Sequence, residues 1–250
     1  ASTIIAQSIG VPINHVELLE KSHNVKGFDF ENKFGTIHSF LPFASLMKFS
    51  FYRGGPKIHK SLFEDLKLQL IVLDTYNGAA EIHAMDTFVC NFDRHPGNIL
   101  YDPAQDQLHA IDMGESFAGQ SLSKTMQNLV KESLYKSYSK RMLKALQKYK
   151  NTLKKLLFLW KPNQVHDFFI NIVSRTSENW TDEELSNDFC EELNEHLKLM
   201  KQSYKDTEKL VELIDEFITI QRNRQLEAKK PFDALTYALP VNHSLQLYRC

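Results

Sequence analysis

The sequence is poor in several features that would each fix a class of protein. Its three cysteines, Cys90, Cys190 and Cys250, are odd in number and widely spaced, which favours reduced thiols over a disulfide framework or a zinc site. No apolar run approaches the roughly 20 residues that span a bilayer. The net charge is −1, so no general attraction to nucleic acid or membrane is indicated. We therefore expect a cytoplasmic protein without a transmembrane segment.

Glycine is also scarce, and its distribution argues against a Walker-type phosphate-binding loop. Nine of the 250 residues are glycine. The adjacent pair Gly54-Gly55 lies in the segment Tyr52–Lys57, which lacks the strand and helix patterns that flank such a loop. We interpret this segment as an ordinary surface loop.

The most informative stretch of the chain is Asn91–Asn98 together with Ile111–Gly114. It holds Asp93, then an asparagine five positions later, and then Asp112 after a further fourteen. Phosphoryl transfer needs a carboxylate that receives or orients the proton of an attacking hydroxyl. It also needs an amide oxygen and a second carboxylate to hold Mg²⁺ against nucleotide phosphates. Kinase catalytic loops use the same residues in the same order.

The residues between Asn98 and Asp112 predict a β-hairpin. Residues 98–101 and 107–111 have the character of short strands, and residues 102–106 that of a turn. A hairpin brings its two ends together, so both side chains could reach one cation at about 2.0–2.1 Å. Any one of these polar residues alone would be typical of a turn. Their joint spacing points to a catalytic site.

The pattern Asn-x-Asp-Arg-His-x-x-Asn followed by Ile-Asp-x-Gly resembles the HipA-like and phosphoinositide-kinase-like branch of the protein-kinase-like superfamily. The resemblance implies a phosphotransferase that uses ATP and Mg²⁺. It implies Asp93 as the catalytic base, with Asn98 and Asp112 as the metal ligands. Arg94 and His95 also match the family's motif. For these two we expect a salt bridge and a packed, hydrogen-bonded position, respectively, rather than direct chemistry.

The upstream residues fit the same resemblance. Residues 1–10 are predicted to form a helix that ends in glycine, similar to the helix before the hinge strands of HipA-like proteins. The segment 34–42 alternates in polarity and contains glycine, which predicts a strand leading into a nucleotide hinge. The hinge residues would be Ser39, Phe40 and Leu41, where an adenine could take backbone hydrogen bonds.

The resemblance also sets an expectation about the fold as a whole. Kinases have a small N-terminal lobe with a glycine-rich strand pair and a lysine that holds the phosphates, both preceding the helix predicted at residues 1–10. This sequence has no room for them. We therefore expect an α+β fold, a protein-kinase-like C-terminal lobe that is mostly helical with a short catalytic β-hairpin. The N-lobe would be largely absent from this chain and supplied by a missing segment or by a second chain.

The sequence divides near residue 120. Residues 1–120 would form the hinge and catalytic part of a kinase-like domain, with the resemblance carried by about residues 79–117. Residues 121–250 would form a helical C-lobe extension. A helix from Ala79 to about Asn91 is predicted to deliver the catalytic loop. Two other helices each have one face marked by residues at helical spacing: Leu62, Leu66, Leu70 and Leu73 in one, and Leu210, Ile214, Phe217, Ile218 and Gln221 in the other.

Charge is segregated within the helical part. Residues 133–166 contain nine basic residues and no acidic one, and Lys140, Lys144 and Lys148 recur every four residues on one helix face. Residues 177–196 contain eight acidic residues and no Lys or Arg. These helices could pair inside the domain or stay solvated. Alternatively, the basic face could dock an anionic partner, such as a phosphoinositide head group, an acidic protein or a nucleic acid.

Four functions remain open, and we favour a HipA-like Ser/Thr protein kinase with a protein substrate. Lipid kinases of this branch usually follow the metal aspartate with a basic loop, whereas Met113–Leu122 has no basic cluster and carries Glu115; the basic helix could substitute. Small-molecule kinases of the aminoglycoside or choline type typically carry histidine where this chain has Asn91. The fourth candidate function is a catalytically incomplete kinase-like binding module. The presence of all three predicted catalytic groups argues against it.

Overall fold

The computed structural model of this chain describes residues 2–18, 26, 36–45, 66–117, 120–176 and 187–228. Over these residues the protein is α+β and mostly helical, as expected from the sequence. The helices are α1 (Ser2–Ser8), α2 (Leu66–Thr75), α3 (Ala79–Val89), α4 (Leu122–Glu132), α5 (Lys140–Leu159), α6 (Pro162–Thr176) and α7 (Asn187–Glu227). The strands are β1 (Val16–Leu18), β2 (Thr36–His38), β3 (Ala44–Ser45), β4 (Ile99–Asp102) and β5 (Gln107–Ala110).

The predicted β-hairpin is confirmed, and it forms most of a three-stranded antiparallel sheet in the order β3-β4-β5. Ile99 pairs with Ala110, so the strands cover almost the residues predicted for them. Asn98 falls just before β4 rather than within it. Its N–H donates to His95 O at 2.9 Å and closes a 3-10 turn over Pro96–Asn98. The hairpin therefore starts from a tight turn that fixes the direction of the Asn98 side chain.

The segment 12–14 ties the N-terminal part of the chain to this hairpin. The Ala110 N–H donates to Pro12 O at 2.8 Å, and Ala110 O accepts from Asn14 N at 3.2 Å. Before this segment, α1 is followed by Gly10 at φ 75°, a left-handed position that favours glycine at the end of a helix. After it, β1 and β2 form a separate antiparallel pair. The chain then leads into β3, which pairs with β4.

Helix α3 lies at the centre of the helical part. It packs against α5 and α7, which also pack against each other, while α2 packs against α5. The buried side chains of Phe88, Leu146, Tyr149 and Phe217 belong to one hydrophobic core. Residues from both the first 120 positions and the later helices contribute to this core, so the helix that precedes the catalytic loop is held on several sides.

The apolar faces predicted from helical spacing are buried. In α2, Leu66, Leu70 and Leu73 are all buried. The same is true of the set predicted for the late helix: Leu210, Ile214, Phe217, Ile218 and Gln221. Each buried aliphatic side chain contributes about 1.5–3 kcal/mol relative to leaving it exposed. Leu62 and the loop Tyr52–Lys57 lie outside the described residues.

Helix α3 ends in a way that gives the catalytic loop a rigid starting point. Within the helix, the Tyr149 hydroxyl donates to Thr87 Oγ1 at 2.9 Å and anchors α5 to α3. The helix stops at Val89, slightly before the predicted end near Asn91. Cys90 adopts a left-handed conformation at φ 55° and caps the helix, which turns the backbone out of the helical path.

His83 is a buried histidine on the inner face of α3. Its ring lies tilted against Tyr149, with centroids 5.5 Å apart, and its Nε2 contacts the side-chain amide of Gln69. Burial lowers the pKa of His83 from 6.5 to about 4; Asp86 raises it and Arg94 lowers it by smaller amounts. The folded protein therefore holds this ring neutral at pH values where the unfolded chain protonates it.

This buried ring predicts a loss of stability on mild acidification. Below pH 6.5 the His83 ring binds a proton in the unfolded state but stays neutral in the folded state. The free energy of unfolding therefore falls as the pH drops towards 4. Between pH 7 and pH 5 the His83 contribution is about 2 kcal/mol. We expect His83→Gln to show a shallower decline in urea unfolding over this range. The exposed His15→Gln is the control; a decline in His83→Gln as steep as in the parent protein would contradict the prediction.

Candidate functional site

The structure brings the predicted catalytic base and one predicted metal ligand into contact. Asn98 Nδ2 donates to the Asp93 carboxylate Oδ2 at 3.2 Å and to Asp93 O at 3.1 Å. Asn98 is buried, whereas the Asp93 side chain is half exposed. This arrangement holds the Asp93 carboxylate at the surface of the loop, where an acceptor hydroxyl could approach it.

Asp112, the second predicted ligand, follows directly after the residue that closes the hairpin onto Asn98. The Ile111 N–H donates to Asn98 O at 3.0 Å, so Asp112 is one residue beyond a direct link to the first ligand. Its φ is 58°, a left-handed conformation that is uncommon outside glycine. Asp112 Oδ1 accepts from Gly114 N at 3.1 Å. Backbone strain of this kind costs about 1–3 kcal/mol and clusters at functional sites.

The side chains of the two predicted ligands each have one oxygen that could bind a cation. Among the described residues, no donor reaches Asn98 Oδ1 or Asp112 Oδ2. An amide and a carboxylate oxygen are suited to Mg²⁺, which takes few protein ligands and completes its octahedron with phosphate oxygens and water. Within the same described residues, no group of three or more His, Cys, Asp or Glu side chains could hold a metal ion. The donor set therefore fits a Mg²⁺ ion that arrives with a nucleotide.

His95 is hydrogen-bonded but not packed, which corrects the expectation from the sequence. Its side chain is half exposed, and its Nδ1 accepts from Gly97 N at 3.0 Å. The other ring nitrogen lies 3.9 Å from Asp93 Oδ2, too far for a hydrogen bond. The ring therefore caps the turn from its outer side, which leaves it open to solvent.

Arg94 forms the predicted salt bridge, and its partner is Asp86 on α3. The Arg94 Nε donates to Asp86 Oδ2, and its Nη2 donates to Asp86 Oδ1, both at 2.9 Å. The same carboxylate accepts from Asn91 Nδ2 at 3.0 Å, while Asn91 Oδ1 accepts from Asp93 N at 3.1 Å. The sequence offered only a weak signal for Asp86: a carboxylate close to Ala84, Met85 and Phe88 would need a partner once buried.

The predicted hinge residues lie in the connector between β2 and β3. Ser39 is fixed to the N-terminal part, because its N–H donates to His15 O and its Oγ accepts from His15 N, both at 2.8 Å. Phe40 is 87% exposed and Leu41 is partly buried. With the Ser39 N–H engaged, Phe40 and Leu41 carry the backbone groups of this connector that an adenine could use.

The basic face of α5 makes ion pairs with neighbouring helices. Lys148 Nζ lies 2.9 Å from Glu81 Oε1 on α3, and Arg141 Nε lies 3.0 Å from an Asp74 carboxylate oxygen on α2. Lys140 and Lys144 are exposed. Half of the acidic segment, residues 177–186, lies outside the described residues, so its predicted pairing with this face stays a prediction.

Charge reversal separates a structural role of this face from a docking role. We expect Lys148→Glu to cost up to about 1 kcal/mol, because it sets like charges together at a partly exposed site. Adding Glu81→Lys should restore most of that loss. Lys140→Glu with Lys144→Glu should leave the melting temperature unchanged, and should weaken binding to anionic vesicles in a salt-dependent way if the face docks an anion. Unchanged vesicle binding in that double variant would remove the docking role.

Comparison with protein-family models finds no match to this chain, and comparison with curated proteins finds none either. None of the helices in the described part of the chain is both long and apolar enough to cross a membrane. The case for a function therefore depends on the residues of the site and their geometry.

Proposed function

We propose that this chain is the catalytic part of an ATP- and Mg²⁺-dependent phosphotransferase of the protein-kinase-like superfamily. Within that superfamily we propose a HipA-like Ser/Thr protein kinase. The observation that carries the proposal is the contact between Asp93 and Asn98, with Asp112 one residue beyond the Ile111–Asn98 hydrogen bond. The proposed base, amide oxygen and second carboxylate thus belong to residues at one end of a short hairpin, and they are the set of groups that phosphoryl transfer requires.

Each residue has a stated part in the proposed reaction. Asp93 orients the acceptor hydroxyl and takes its proton as the oxygen bonds to the γ-phosphorus of ATP; the bond from that phosphorus to the β–γ bridging oxygen breaks, and ADP leaves. Asn98 Oδ1 and the Asp112 carboxylate would hold the metal ion. When bound, Mg²⁺ neutralises charge on the phosphate oxygens. The Asn98 amide nitrogen keeps the Asp93 carboxylate beside that centre.

A protein acceptor is favoured over a lipid head group by the residues after Asp112. The exposed Glu115 lies three residues beyond Asp112, the proposed ligand. No Lys or Arg occurs between Asp112 and Lys124. A phosphorylated inositol ring would meet an acidic side chain there rather than basic partners, which like-charge repulsion disfavours. A phosphoinositide kinase remains the second candidate, because the exposed Lys140 and Lys144 offer positive charge elsewhere on the chain.

The site gives less support to a small-molecule kinase or to a catalytically incomplete binding module. In a kinase of the aminoglycoside or choline type the position of Asn91 would hold histidine. Here Asn91 instead bridges Asp86 and the Asp93 backbone. A binding module has no physical need for a strained Asp112 or for oxygens left without donors.

The direct test is phosphate transfer by the full-length protein from γ-labelled ATP. We expect label on a protein acceptor or on the protein itself, dependence on Mg²⁺, and loss with a chelator. Phosphatidylinositol vesicles, and aminoglycosides or choline, serve as competing acceptors in parallel reactions. Label in lipid alone would favour the second candidate. ATP·Mg²⁺ binding without transfer to any acceptor would favour the binding module.

A further inference from the structure

The ion pair between Asp86 and Arg94 is almost completely buried, and a gain in stability does not explain this burial. The Asp86 side chain is 1% exposed and the Arg94 side chain 5% exposed. Removing two charges from water costs several kcal/mol each, and well-packed apolar residues often stabilise a core as well or better. A buried pair is therefore weak evidence for a stabilising role, and the groups around it indicate a different one.

Every N–H group of the Arg94 guanidinium is used. Two of the five donate to the Asp86 carboxylate and a third to Met113 Sδ at 2.9 Å. The remaining two, on Nη1, donate to Asn98 O at 2.8 Å and to Ile111 O at 2.6 Å. A guanidinium carries five donors in a rigid plane, so the four groups it contacts are fixed relative to one another.

The two carbonyls that accept from Nη1 belong to one proposed metal ligand and to the residue before the other. Asn98 O is the carbonyl of the first ligand itself. Ile111 O belongs to the peptide that joins Ile111 to Asp112, so its orientation sets the entry into the left-handed conformation of Asp112. One side chain therefore fixes both strand ends, and Asp86 anchors that side chain to the rigid helix α3.

Arg94 is also the cation that balances Asp86. The nearby His83 is neutral at pH 7, because burial lowers its pKa to about 4. In the described part of the chain, the carboxylate is otherwise approached by the neutral amide of Asn91. A cavity of about 40 Å³ borders the pair and is lined by His83, Gln69 and apolar side chains. Tight packing is thus not what holds the guanidinium in position; its hydrogen bonds are.

We propose that Asp86 and Arg94 are positioning residues that set the spacing of Asn98 and Asp112 and thereby the affinity for Mg²⁺·ATP. The effect on Mg²⁺·ATP affinity rests on the proposed function. The hydrogen bonds from Arg94 to Asn98 O and Ile111 O, called the clamp below, can be tested without it. A purely structural role would make the pair a contributor to stability alone. Breaking one partner of a buried pair costs about 3–5 kcal/mol, so a loss of activity in a single variant would not distinguish the two roles.

Three variants of the full-length protein separate these roles. Arg94→Lys keeps the charge and loses the planar fork. The double variant Asp86→Asn with Arg94→Met removes both charges, leaving neither one buried alone. Lys150→Met is the control, because it breaks the ion pair between the buried Lys150 on α5 and the half-exposed Asp215 on α7, in a different part of the protein.

The Mg²⁺ concentration for half-maximal transfer and kcat, both measured well below the melting temperature of each variant, distinguish a positioning role from a purely structural one. We expect Arg94→Lys and the double variant to raise the Mg²⁺ concentration for half-maximal transfer and to lower kcat by up to about 10²-fold, the effect of misplacing reacting groups by about 1 Å. Lys150→Met should lower the melting temperature with little change in either quantity. Recovery of stability and activity together in the double variant would overturn the proposal. A loss of activity in Lys150→Met as large as that in Arg94→Lys would overturn it too.

Hydrogen exchange tests the clamp independently of catalysis. The Ile111 N–H bonds to Asn98 O, whose other partner is Arg94, so Arg94→Lys should speed exchange at Ile111 while amides in α5 stay protected. This result would support the clamp even if the parent protein transferred no phosphate, in which case the proposed function alone would fail. Unchanged exchange at Ile111 in Arg94→Lys would overturn the clamp whether or not the protein is a kinase.

Discussion

Asp93→Asn is expected to leave ATP·Mg²⁺ binding intact and to slow phosphate transfer by about 10²–10⁴-fold, the usual contribution of a positioned proton acceptor. Asparagine keeps an oxygen that can accept from Asn98 Nδ2, so the loop should hold its shape while losing its base. Single-turnover transfer in the full-length protein measures the rate, and a nucleotide titration measures the binding.

The control for this substitution is Asp106→Asn. Asp106 is an exposed carboxylate at the tip of the same hairpin, with φ 49°, a conformation that asparagine also tolerates. We expect its transfer rate to match that of the parent protein. Near-normal transfer in Asp93→Asn would mean that the acceptor hydroxyl is oriented by another group.

Asp112→Ala is expected to abolish Mg²⁺-dependent nucleotide binding. Asn98 alone supplies a neutral oxygen, which cannot offset the charge of a metal ion drawn in with the phosphates. Binding to the folded state alone raises the melting temperature through linkage, so the rise produced by ATP with Mg²⁺ should disappear in the variant. The rise should persist in Glu115→Gln, which alters a neighbouring exposed carboxylate.

Alanine also adds strain at Asp112, because its φ lies in the left-handed region. Asp112→Asn is therefore a necessary companion, since asparagine tolerates that region and loses only the charge. We expect it to weaken the Mg²⁺-dependent rise strongly while folding as well as the parent protein. An undiminished rise in both variants would refute the assignment of Asp112 as a metal ligand.

Local patterns in the sequence predicted the elements that surround the site. The short strand-like segments and the turn residues between Asn98 and Asp112 predict the hairpin, and a helix is predicted from Ala79 to about Asn91. The buried faces of α2 and α7 follow from helical spacing alone. Each of these depends on residues close together in the chain, where propensity and periodicity are informative.

Contacts that depend on distant residues could not be predicted in the same way. The salt bridge of Arg94 was expected, but its partner Asp86 depends on how α3 and the loop pack. The exposure of His95 depends on the direction in which the Pro96–Asn98 turn leaves the helix. Lys148 was grouped with its neighbours by helical spacing, and it instead pairs with Glu81 on α3. Tertiary packing, which a one-dimensional pattern does not contain, decides all three.

The clamp connects Asn98 with the residue before Asp112, and the sequence motif alone does not explain this connection. The Asp-x₄-Asn spacing requires a tight turn, and Asp112 requires a left-handed backbone. The Asn98 N–H closes the turn on His95 O, and the carbonyls of Asn98 and Ile111 both accept hydrogen bonds from one buried guanidinium. Arg94, which lies between Asp93 and Asn98 in the sequence, thus links the two ends of the proposed site.

The most direct test of the central claim is a crystal structure of the full-length protein with Mn²⁺ and a non-hydrolysable ATP analogue. Mn²⁺ takes the oxygen ligands that suit Mg²⁺, and its anomalous scattering locates it without assumptions about the site. We predict an anomalous peak bonded to Asn98 Oδ1 and to the Asp112 carboxylate, with the γ-phosphate directed towards Asp93. Bound nucleotide with its metal held by other residues would contradict the account.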